Sequence, residues 1–161
     1  MIDIRELEPD EFDRVWPIFR IVVSAGDTYS YPPDITFEQA RALWMTPPSR
    51  VFVALDGGKP VGCYMMRPNQ PGLGDHVANA GYMVAPHARG RGIAGMMCED
   101  SLARARREGF KAMQFNFVVS TNEIAVALWR KHGFEIVGRV PKAFRHATLG
   151  LVDTFVMHRM L

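Results

Sequence analysis

The residue types best suited to chemistry lie in segment 84–95, where an apolar stretch gives way to a glycine-punctuated loop that reads VAPHARGRGIAG. Glycines let backbone N–H groups approach a ligand closely. A helix that starts directly after such a loop adds partial positive charge at its N-terminus. Arg89 and Arg91 supply formal positive charge within the same loop. The segment therefore predicts a binding site for a pyrophosphate group.

Two other interpretations of this loop stay open. The tract Arg-Gly-Arg-Gly also occurs in RNA-binding segments, although one copy between a strand and a helix is a weak match. A simple connecting loop is the structural alternative. The loop is not the phosphate loop of P-loop nucleotidases, because no Gly-Lys-Ser/Thr follows. A pyrophosphate site is the favoured interpretation.

One asparagine differs from all of its neighbours. Asn116 interrupts the apolar run 113–119, which has the composition of a central strand. A buried side-chain amide must find hydrogen-bond partners. Asn116 is therefore expected either to make a structural hydrogen bond or to belong to a functional site, and the sequence leaves both alternatives open.

The elements that must position these residues follow from hydrophobic periodicity, turn residues and capping residues. Strands are predicted at 2–7, 51–55, 61–66, 76–84, 113–119, 135–139 and 153–160. Helices are predicted at 9–26, 36–44, 92–108 and 122–132. Pro17 is expected to kink or divide the first helix. Thr36 and Gln39 form a possible capping box for the second, and Gly109 and Gly133 are expected to end the third and fourth.

The resulting order of elements is β α α β β β α β α β β. The helix between the fourth and fifth strands implies a crossover connection and a local parallel pair. Asp56-Gly57-Gly58 between two apolar runs predicts an antiparallel hairpin. The expected fold is a mixed-sheet α/β domain with helices on both faces. The length of 161 residues corresponds to a single domain over 1–161.

Composition excludes several classes of protein. Hydrophobic residues make up 48% of the chain and charged residues 22%, which is typical of globular proteins and not of disordered chains. No apolar run approaches the ~18 residues of a membrane span, and 1–8 lacks the apolar core of a secretory signal, so a cytoplasmic location is expected. The net charge of +2 is too small to favour nucleic-acid binding. Cys63 and Cys98 lack metal-ligand spacing and are expected to be buried thiols, so no metal is predicted.

Two motifs resemble those of the GNAT superfamily of N-acetyltransferases. Arg89-x-x-Gly92-x-Ala94, after a strand and at the start of a helix, is similar to the superfamily's acetyl-CoA-binding motif. The segment from Asn122 to Phe134 resembles its second signature. The resemblance covers essentially the whole chain. It implies a GNAT-like acyl-CoA N-acyltransferase fold, with acetyl-CoA as co-substrate. It also implies direct transfer of the acetyl group to a small primary or secondary amine in a ternary complex.

The resemblance also implies how the cofactor would be bound. In the family fold, the fourth and fifth strands splay apart and the pantetheine arm lies between them. Backbone groups of Met83 and Val84 would pair with the pantetheine, and an N–H of one of them would stabilise the oxyanion. Asn122 would flank the far side of the cofactor, with a helix N-cap as its structural alternative. The residues expected to bind the cofactor are Met83, Val84, Arg89, Gly90, Arg91, Gly92, Ile93, Ala94, Gly95, Asn122 and Trp129.

The acid and the base of the common family pattern are missing. Many members have a tyrosine acid where this chain has Trp129, whose indole N–H does not serve as an acid at neutral pH. Trp129 is therefore expected to pack beside the cofactor, and the proton would come from Tyr82, from water or from no group. The fourth strand also lacks the glutamate that often acts as base through water. His76 is a candidate base, with an ordinary surface histidine as the alternative.

A narrower resemblance concerns the active site. Three segments resemble the fungal and bacterial branch that acts on azetidine-2-carboxylate and proline analogues, namely 76–84, 114–122 and 135–140. In that branch, asparagines that match Asn79, Asn116 and Asn122 line the active site and help to polarise the substrate or the thioester. The candidate catalytic residues are Asn79, Asn116, Tyr82 and Met83.

Amino acids are the expected acceptors. The surroundings of Arg145, His146 and Asp153 resemble the phosphinothricin-type amino-acid acetyltransferases. Arg145 would receive a substrate carboxylate, or it would be a solvent-exposed loop residue. Acetylation of protein or peptide N-termini and non-catalytic binding of acyl-CoA are the alternative functions. A homodimer is expected from the resemblance, from the loop that contains Tyr29 and Tyr31, and from the apolar terminal strand; no nucleic-acid or membrane partner is expected.

Overall fold

The computed structural model describes residues 1–161 and contains one seven-stranded sheet with four α-helices. The strands are β1 (Ile2–Glu6), β2 (Arg50–Asp56), β3 (Lys59–Pro68), β4 (Val77–Val84), β5 (Ala112–Val119), β6 (Glu135–His146) and β7 (Gly150–Met160). The helices are α1 (Trp16–Ser24), α2 (Phe37–Met45), α3 (Ile93–Arg107) and α4 (Glu123–Lys131). This order confirms the predicted succession of elements. None of the helices combines the length and the hydropathy that crossing a lipid bilayer requires.

The sheet has the strand order β1-β2-β3-β4-β5-β7-β6. Every neighbouring pair is antiparallel except β4 and β5, which are parallel because α3 carries the chain back between them. These two strands pair only at Val77 with Ala112 and at Ala78 with Met113. Beyond that point they separate, which confirms the splayed fourth and fifth strands that the resemblance implied.

Helices cover both faces of the sheet, as the order of elements predicts. A Cβ atom built on Gly62 of β3 would lie 3.0 Å from Cε of Met97 in α3. A Cβ atom on Gly81 of β4 would lie 3.1 Å from the hydroxyl of Tyr29, in the loop between α1 and α2. Gly62 pairs with Val84, and Val84 and Gly81 point to opposite faces because strand side chains alternate. We call the two sides the α3 face and the α1–α2 face.

Aromatic residues form a large part of the core on each face. A row on the α3 face crosses the sheet with ring centroids 4.7 to 5.7 Å apart, and its members are Phe52, Tyr64, Tyr82, Phe115 and Trp129. A second cluster on the α1–α2 face contains Phe12, Trp16, Phe19, Tyr31, Phe37 and Trp44. Aromatic pairs at such separations contribute about 0.5–1.5 kcal/mol each beyond the burial of their area. The two clusters hold the helices against the strands that border the gap.

The predicted first helix is divided at Pro17 and not kinked there. The predicted helix over 9–26 is wrong in its first half, because a 3-10 turn at Phe12–Arg14 precedes α1. The helix α1 starts at Trp16 and has Pro17 in its first turn. Proline is favoured there because the N–H that it lacks would have no partner within the helix.

The predicted helix ends are confirmed. Gln39 N donates to Thr36 Oγ1 at 3.2 Å, and Thr36 N donates to Gln39 Oε1 at 3.0 Å, so the two residues form the capping box of α2. Gly109 and Gly133 follow α3 and α4 with φ values of 88° and 85°, a conformation that favours glycine.

The last two strands form a longer hairpin than predicted. β6 runs to His146 instead of ending at 139. Its register against β7 shifts between Val140 and Phe144, and Lys142 within this bulge has a φ of 52°. A bulge adds residues that interrupt the alternation of side chains, so this part of the strand has no period-two pattern in the sequence.

Candidate active site

Backbone hydrogen bonds of β4 alternate between the neighbouring strand β3 and the gap toward β5. Asn69 N donates to Val77 O at 2.7 Å, and Ala85 N donates to Val61 O at 2.9 Å. These two bonds show that the odd-numbered residues of β4 form their backbone hydrogen bonds with β3, because only every second residue of an antiparallel pair exchanges both bonds. The even-numbered residues therefore direct their N–H and C=O groups into the gap.

This alternation corrects the expectation for Met83. Met83 lies opposite Cys63 in the β3–β4 register, and its N–H and C=O groups belong to that pair. Met83 thus offers no backbone donor to a ligand in the gap. Of the two predicted oxyanion donors, Val84 alone keeps a free N–H there, and the N–H of Tyr82 is a second one.

The loop before α3 presents a row of unpaired backbone donors. Gly90 and Gly92 have φ values of 76° and 77°, in the left-handed region that favours glycine. Gly92 is the N-cap of α3, and because it has no side chain it cannot cap the first N–H groups of the helix. The N–H groups from Gly90 to Gly95 bond no acceptor in the protein. Consecutive amides at a helix N-terminus form an anion-binding concavity, so these residues fit the predicted pyrophosphate.

The two arginines of this loop differ in their partners. Arg91 Nη2 donates to Asp56 Oδ2 at 2.6 Å, which ties the loop to the turn between β2 and β3. The hydrogen bond from Arg91 lowers the pKa of Asp56. Arg89 is exposed and has no ion-pair partner. Arg89 is therefore free to pair with a phosphate, whereas the charge of Arg91 is already compensated by a carboxylate.

Asn122 and Trp129 belong to the two ends of α4. Asn122 Oδ1 accepts from Ala125 N at 3.4 Å, so Asn122 is the N-cap of the helix. Its Nδ2 group has no partner in the protein and stays available to a ligand. Trp129 is 8% exposed, and its ring lies 4.9 Å from that of Tyr82 and 5.0 Å from that of Phe115. Trp129 thus bridges β4 and β5 on the α3 face where the two strands separate.

Tyr82 places its side chain on the α3 face. Its hydroxyl lies 2.7 Å from Ser101 Oγ in α3. Burial raises the pKa of Tyr82 well above its ordinary value. The phenol therefore keeps its proton at neutral pH within a hydrogen-bonded core. Asn79 points to the opposite face of the sheet, because the two positions differ by an odd number of residues.

Three side-chain amides are hydrogen-bonded in a row on the α1–α2 face, where β4 and β5 separate, and Asn79 joins them through a backbone carbonyl. Asn79 and Gln114 directly follow the last residues through which β4 and β5 pair with each other. Asn79 Nδ2 donates to the backbone oxygen of Gln114 at 3.0 Å. Gln114 Nε2 donates to Asn116 Oδ1 at 3.0 Å. Asn116 Nδ2 donates to Asn69 Oδ1 at 2.7 Å. We call these four residues the amide cluster, and it brings the two predicted active-site asparagines of β4 and β5 together.

The burial of Asn116 that its apolar neighbours predict is wrong. The register of β5 against β7 shifts between Phe115 and Val118, and Asn116 is exposed within this irregularity. A residue in a bulge leaves the ladder and is not held in the plane of the sheet. Asn116 is therefore an accessible amide that two neighbouring side chains hold in place.

Three aromatic residues that belong to β5 or contact β4 or β5 are absent from the site predicted from the sequence. Tyr29 donates its hydroxyl to Tyr82 O at 2.9 Å, and this carbonyl faces the gap. Burial raises the pKa of Tyr29 well above its ordinary value. The rings of Phe117 and Phe144 lie 5.9 Å apart. A loop tyrosine and a phenylalanine next to a bulge have no periodicity that would have indicated these positions.

The aromatic loop between α1 and α2 packs within the protein. The rings of Tyr29 and Tyr31 stack 5.7 Å apart, and Trp44 Nε1 donates to the Tyr31 hydroxyl at 3.1 Å. Both tyrosines are half-buried by their own chain. This loop therefore gives no support to the expected homodimer.

A predicted carboxylate-binding residue and a candidate base are both exposed and do not belong to the amide cluster. Arg145 is exposed on β6 between Phe144 and His146. Because strand side chains alternate, Arg145 points away from the side on which Phe144 packs against Phe117, so its predicted carboxylate role is not supported. His76 is exposed directly before β4, as its structural alternative predicted.

Comparisons with known proteins identify relatives of this chain by sequence and by fold. Residues 3–134 match the family described as acetyltransferase (GNAT) family. A solved GCN5-related N-acetyltransferase from Kribbella flavida is 51% identical, with a TM-score of 0.94 over 99% of this chain and 98% of that one. A GNAT superfamily phosphinothricin acetyltransferase from Sinorhizobium meliloti, solved with acetyl-CoA, is 22% identical, with a TM-score of 0.84 over 99% of this chain and 88% of that one, and it shows the fold alone.

A curated relative gives a partial match. N-acetyltransferase aca1 from Schizosaccharomyces pombe is 34% identical over 97 residues, which are 60% of this chain and 46% of the yeast protein. The match therefore spans less than half of that protein's length. The family match, in contrast, includes the loop before α3, the gap between β4 and β5, and the whole of α4. The chain belongs to the GNAT family of acetyltransferases.

Proposed function

We propose that this protein transfers an acetyl group from acetyl-CoA to the nitrogen of a small primary or secondary amine, and that this amine belongs to an amino acid or a close analogue. One observation carries the proposal. The gap between β4 and β5 has free backbone N–H groups along β4 and at the start of α3, and the amide cluster lies at this gap on the α1–α2 face. Membership of the GNAT family supports the same reaction.

The chain provides the groups that acetyl-CoA needs. The free amides of 90–95 and the guanidinium of Arg89 suit the pyrophosphate. The gap-facing N–H groups of Tyr82 and Val84 and the C=O group of Val84 suit the amide groups of the pantetheine arm, whereas the C=O group of Tyr82 already accepts from Tyr29. The free Nδ2 of Asn122 is a further donor at the start of α4. When bound, acetyl-CoA supplies an acetyl group that is activated as a thioester.

Uncharged groups would form most of the hydrogen bonds to the reacting atoms. The Val84 N–H is the candidate donor to the carbonyl oxygen on which negative charge develops, and one preorganised donor of this kind contributes about 10²–10³ in rate. Asn79 Oδ1 accepts no hydrogen bond in the protein and is the candidate acceptor from the amine. Asn116 would help to orient the amine. Since no amide titrates, the amine must lose its proton to water or arrive unprotonated.

Arg67 is better placed than Arg145 to receive a substrate carboxylate. It lies directly opposite Asn79 in the β3–β4 pair, so the two side chains share the α1–α2 face. Arg67 is exposed and has no ion-pair partner. An amino acid whose nitrogen meets Asn79 would bring its carboxylate close to this arginine, which supports amino acids as the acceptor class.

Non-catalytic binding of acyl-CoA is the second candidate function. One observation favours it: the position of the family's acid is Trp129, and the residue beside it, Tyr82, is half-buried, with a hydroxyl hydrogen-bonded to Ser101 and a raised pKa. Neither residue supplies a proton readily at neutral pH. Binding and turnover must therefore be measured separately.

The deciding experiment is release of the free CoA thiol from acetyl-CoA with a panel of amines. The panel contains the standard amino acids, L-azetidine-2-carboxylate and short peptides with free N-termini. We expect turnover with at least one amino acid, at a rate that rises with pH as the amine loses its proton. Turnover with peptides alone would instead indicate N-terminal acetylation, and binding of acetyl-CoA without any turnover would indicate the non-catalytic function.

We also propose that the protein is a homodimer. The support is a set of exposed apolar side chains on the β6–β7 hairpin, where Val137, Leu149 and Leu151 are 59%, 61% and 55% exposed. Two-fold dimers are the commonest oligomers. Light scattering at micromolar concentration measures the mass, and a value near the 18.1 kDa of one chain would contradict the dimer.

A further inference from the structure

We propose that Asn69, in the loop between β3 and β4, is a positioning residue that sets the orientation of the Asn116 amide toward the acceptor amine. The inference rests on the proposed function, because Asn116 meets an amine only if the gap is an acetyl-transfer site. The two residues are 47 positions apart in the chain. Their contact arises from the fold, and no motif points to Asn69.

Asn116 depends on other side chains for its position. The register shift between Phe115 and Val118 removes it from the ladder between β5 and β7. Its side chain is exposed, so packing does not restrict its rotamers. Only hydrogen bonds to its amide can hold the group in one orientation, and the amide cluster supplies two of them.

Asn69 has a fixed backbone from which to hold that amide. Its N–H donates to Val77 O at 2.7 Å, which extends the pairing of β3 and β4 one step beyond Pro68 and Ala78. The residue is half-buried. Its Oδ1 accepts from Asn116 Nδ2 at 2.7 Å, the shortest bond in the amide cluster. The Asn69 backbone is therefore fixed, and its side-chain oxygen is an acceptor within reach of Asn116.

The two hydrogen bonds to Asn116 determine which N–H group and which lone pair of its amide stay free for the acceptor amine. Its Nδ2 donates to Asn69, and its Oδ1 accepts from Gln114 Nε2. A side-chain amide has two N–H donors and two acceptor lone pairs, so one donor and one lone pair of Asn116 stay free for a ligand. Without the oxygen of Asn69, one bond would remain, and the amide could swing away from the gap.

The test compares kcat/KM for the acceptor with the Kd of acetyl-CoA in matched variants. The probe is L-azetidine-2-carboxylate, or the panel amino acid that is turned over fastest. We expect Asn69→Ala to lower kcat/KM about tenfold through misplacement of Asn116, with the Kd of acetyl-CoA and the Tm unchanged. Asn69→Asp keeps an oxygen for Asn116 and should stay within about threefold of the wild type. Gln70→Ala changes the exposed neighbour and is the control, with no effect on either quantity.

A double variant separates positioning from an independent contribution. If Asn69 acts through Asn116, Asn69→Ala has no further effect in an Asn116→Ala background. Losses that multiply in the double variant, or equal losses in Asn69→Ala and Asn69→Asp, would overturn the inference and leave the proposed function standing. Full turnover by Asn116→Ala would overturn the inference alone, because acetyl transfer to the amine would persist without Asn116. No transfer to any amino acid would remove the proposed function and this inference together.

The side-chain NH₂ signals of Asn116 in a ¹H–¹⁵N spectrum provide a readout that does not depend on turnover. We expect these signals to shift in Asn69→Ala and to stay in place in Gln70→Ala. Assignment comes from their disappearance in Asn116→Ala. Unchanged Asn116 signals in Asn69→Ala would mean that the hydrogen bond does not hold the amide, and the inference would fail.

Discussion

Asn79 and Asn116 have the same side chain in two different structural positions. Asn79 is 9% exposed and donates to a backbone carbonyl of the next strand. Asn116 is exposed and bonds only to other side chains. Removal of Asn79 leaves the carbonyl of Gln114 without that donor, whereas removal of Asn116 leaves no buried group unpaired. The two positions therefore predict different costs for the same substitution.

Alanine variants of the two asparagines should lower kcat by similar mechanisms but differ in stability. Asn79→Ala should reduce the free energy of unfolding by about 1–3 kcal/mol, because a bonded backbone acceptor loses its donor. Asn116→Ala should change it by less than about 0.5 kcal/mol, as is usual for exposed positions. In both, kcat should fall more than the affinity for acetyl-CoA. Steady-state kinetics, calorimetry and thermal unfolding measure these quantities, and full turnover in both variants would remove the asparagines from the active site.

Among the elements, the loop that leads into α3 has the most direct consequence for cofactor binding. A ligand that binds only the folded state at 100 times its Kd stabilises it by about 2.7 kcal/mol. Gly92→Glu should abolish the stabilisation by acetyl-CoA, because it puts a carboxylate among the free amides. Gly92→Ala is the matched control: it shares the strain of the left-handed φ of 77° but adds no charge, so it should retain part of the shift. Thermal unfolding with and without acetyl-CoA measures both, and an undiminished shift in Gly92→Glu would contradict the assignment.

The loop between α1 and α2 is held against β4 by the hydroxyl of Tyr29. Tyr29→Phe removes its bond to Tyr82 O but keeps the stacking on Tyr31. The free energy of unfolding should fall by about 0.5–1.5 kcal/mol. The KM for the amine should rise while the Kd of acetyl-CoA stays constant, because the loop borders the acceptor side. A weaker Kd for acetyl-CoA with an unchanged KM for the amine would instead place Tyr29 at the cofactor.

For the whole molecule, a charged cluster near the N-terminus makes stability depend on pH. Arg5 Nη1 and Nη2 each donate to Glu11 at 2.8 Å. These bonds are the main cause that lowers the pKa of Glu11 from 4.5 to about 2. A lowered carboxylate pKa contributes stability that is complete above the unfolded value and is lost as the pH falls through the folded value. The contribution of Glu11 should therefore be present at pH 7 and disappear between about pH 4.5 and 2.

Glu11→Gln tests this dependence. Its Tm should lie below that of the wild type at pH 7, and the difference should shrink as the pH falls from about 4.5 to about 2, because Glu11 becomes neutral as the pH passes through its folded-state pKa. Glu8→Gln is the control, since the Glu8 side chain is exposed and makes no ion pair. Thermal unfolding by circular dichroism gives the Tm at each pH. A difference that stays constant down to pH 2 would assign the effect to packing instead of charge.

Features that depend on one contiguous segment are predictable from the amino-acid sequence. The glycines of 90–95 and the helix that follows them predict the pyrophosphate site, because local backbone conformation and a helix N-terminus are enough to form it. Capping residues and turn glycines likewise predict the ends of α2, α3 and α4 and the hairpin between β2 and β3. The order of elements follows from such local signals, and the structure confirms it. The resemblance of two motifs to the GNAT family is confirmed by the family match over residues 3–134.

Features that depend on strand register and on contacts between distant segments become visible in the folded chain and in no local pattern. Whether Met83 or Val84 offers its N–H to the gap depends on which residues of β4 pair with β3, and a shift of one residue exchanges them. The exposure of Asn116 depends on a bulge that no periodicity announces. The bond between Asn69 and Asn116 joins residues 47 positions apart. Register, bulges and such contacts are set by the packing of the whole sheet, so no single segment contains the information.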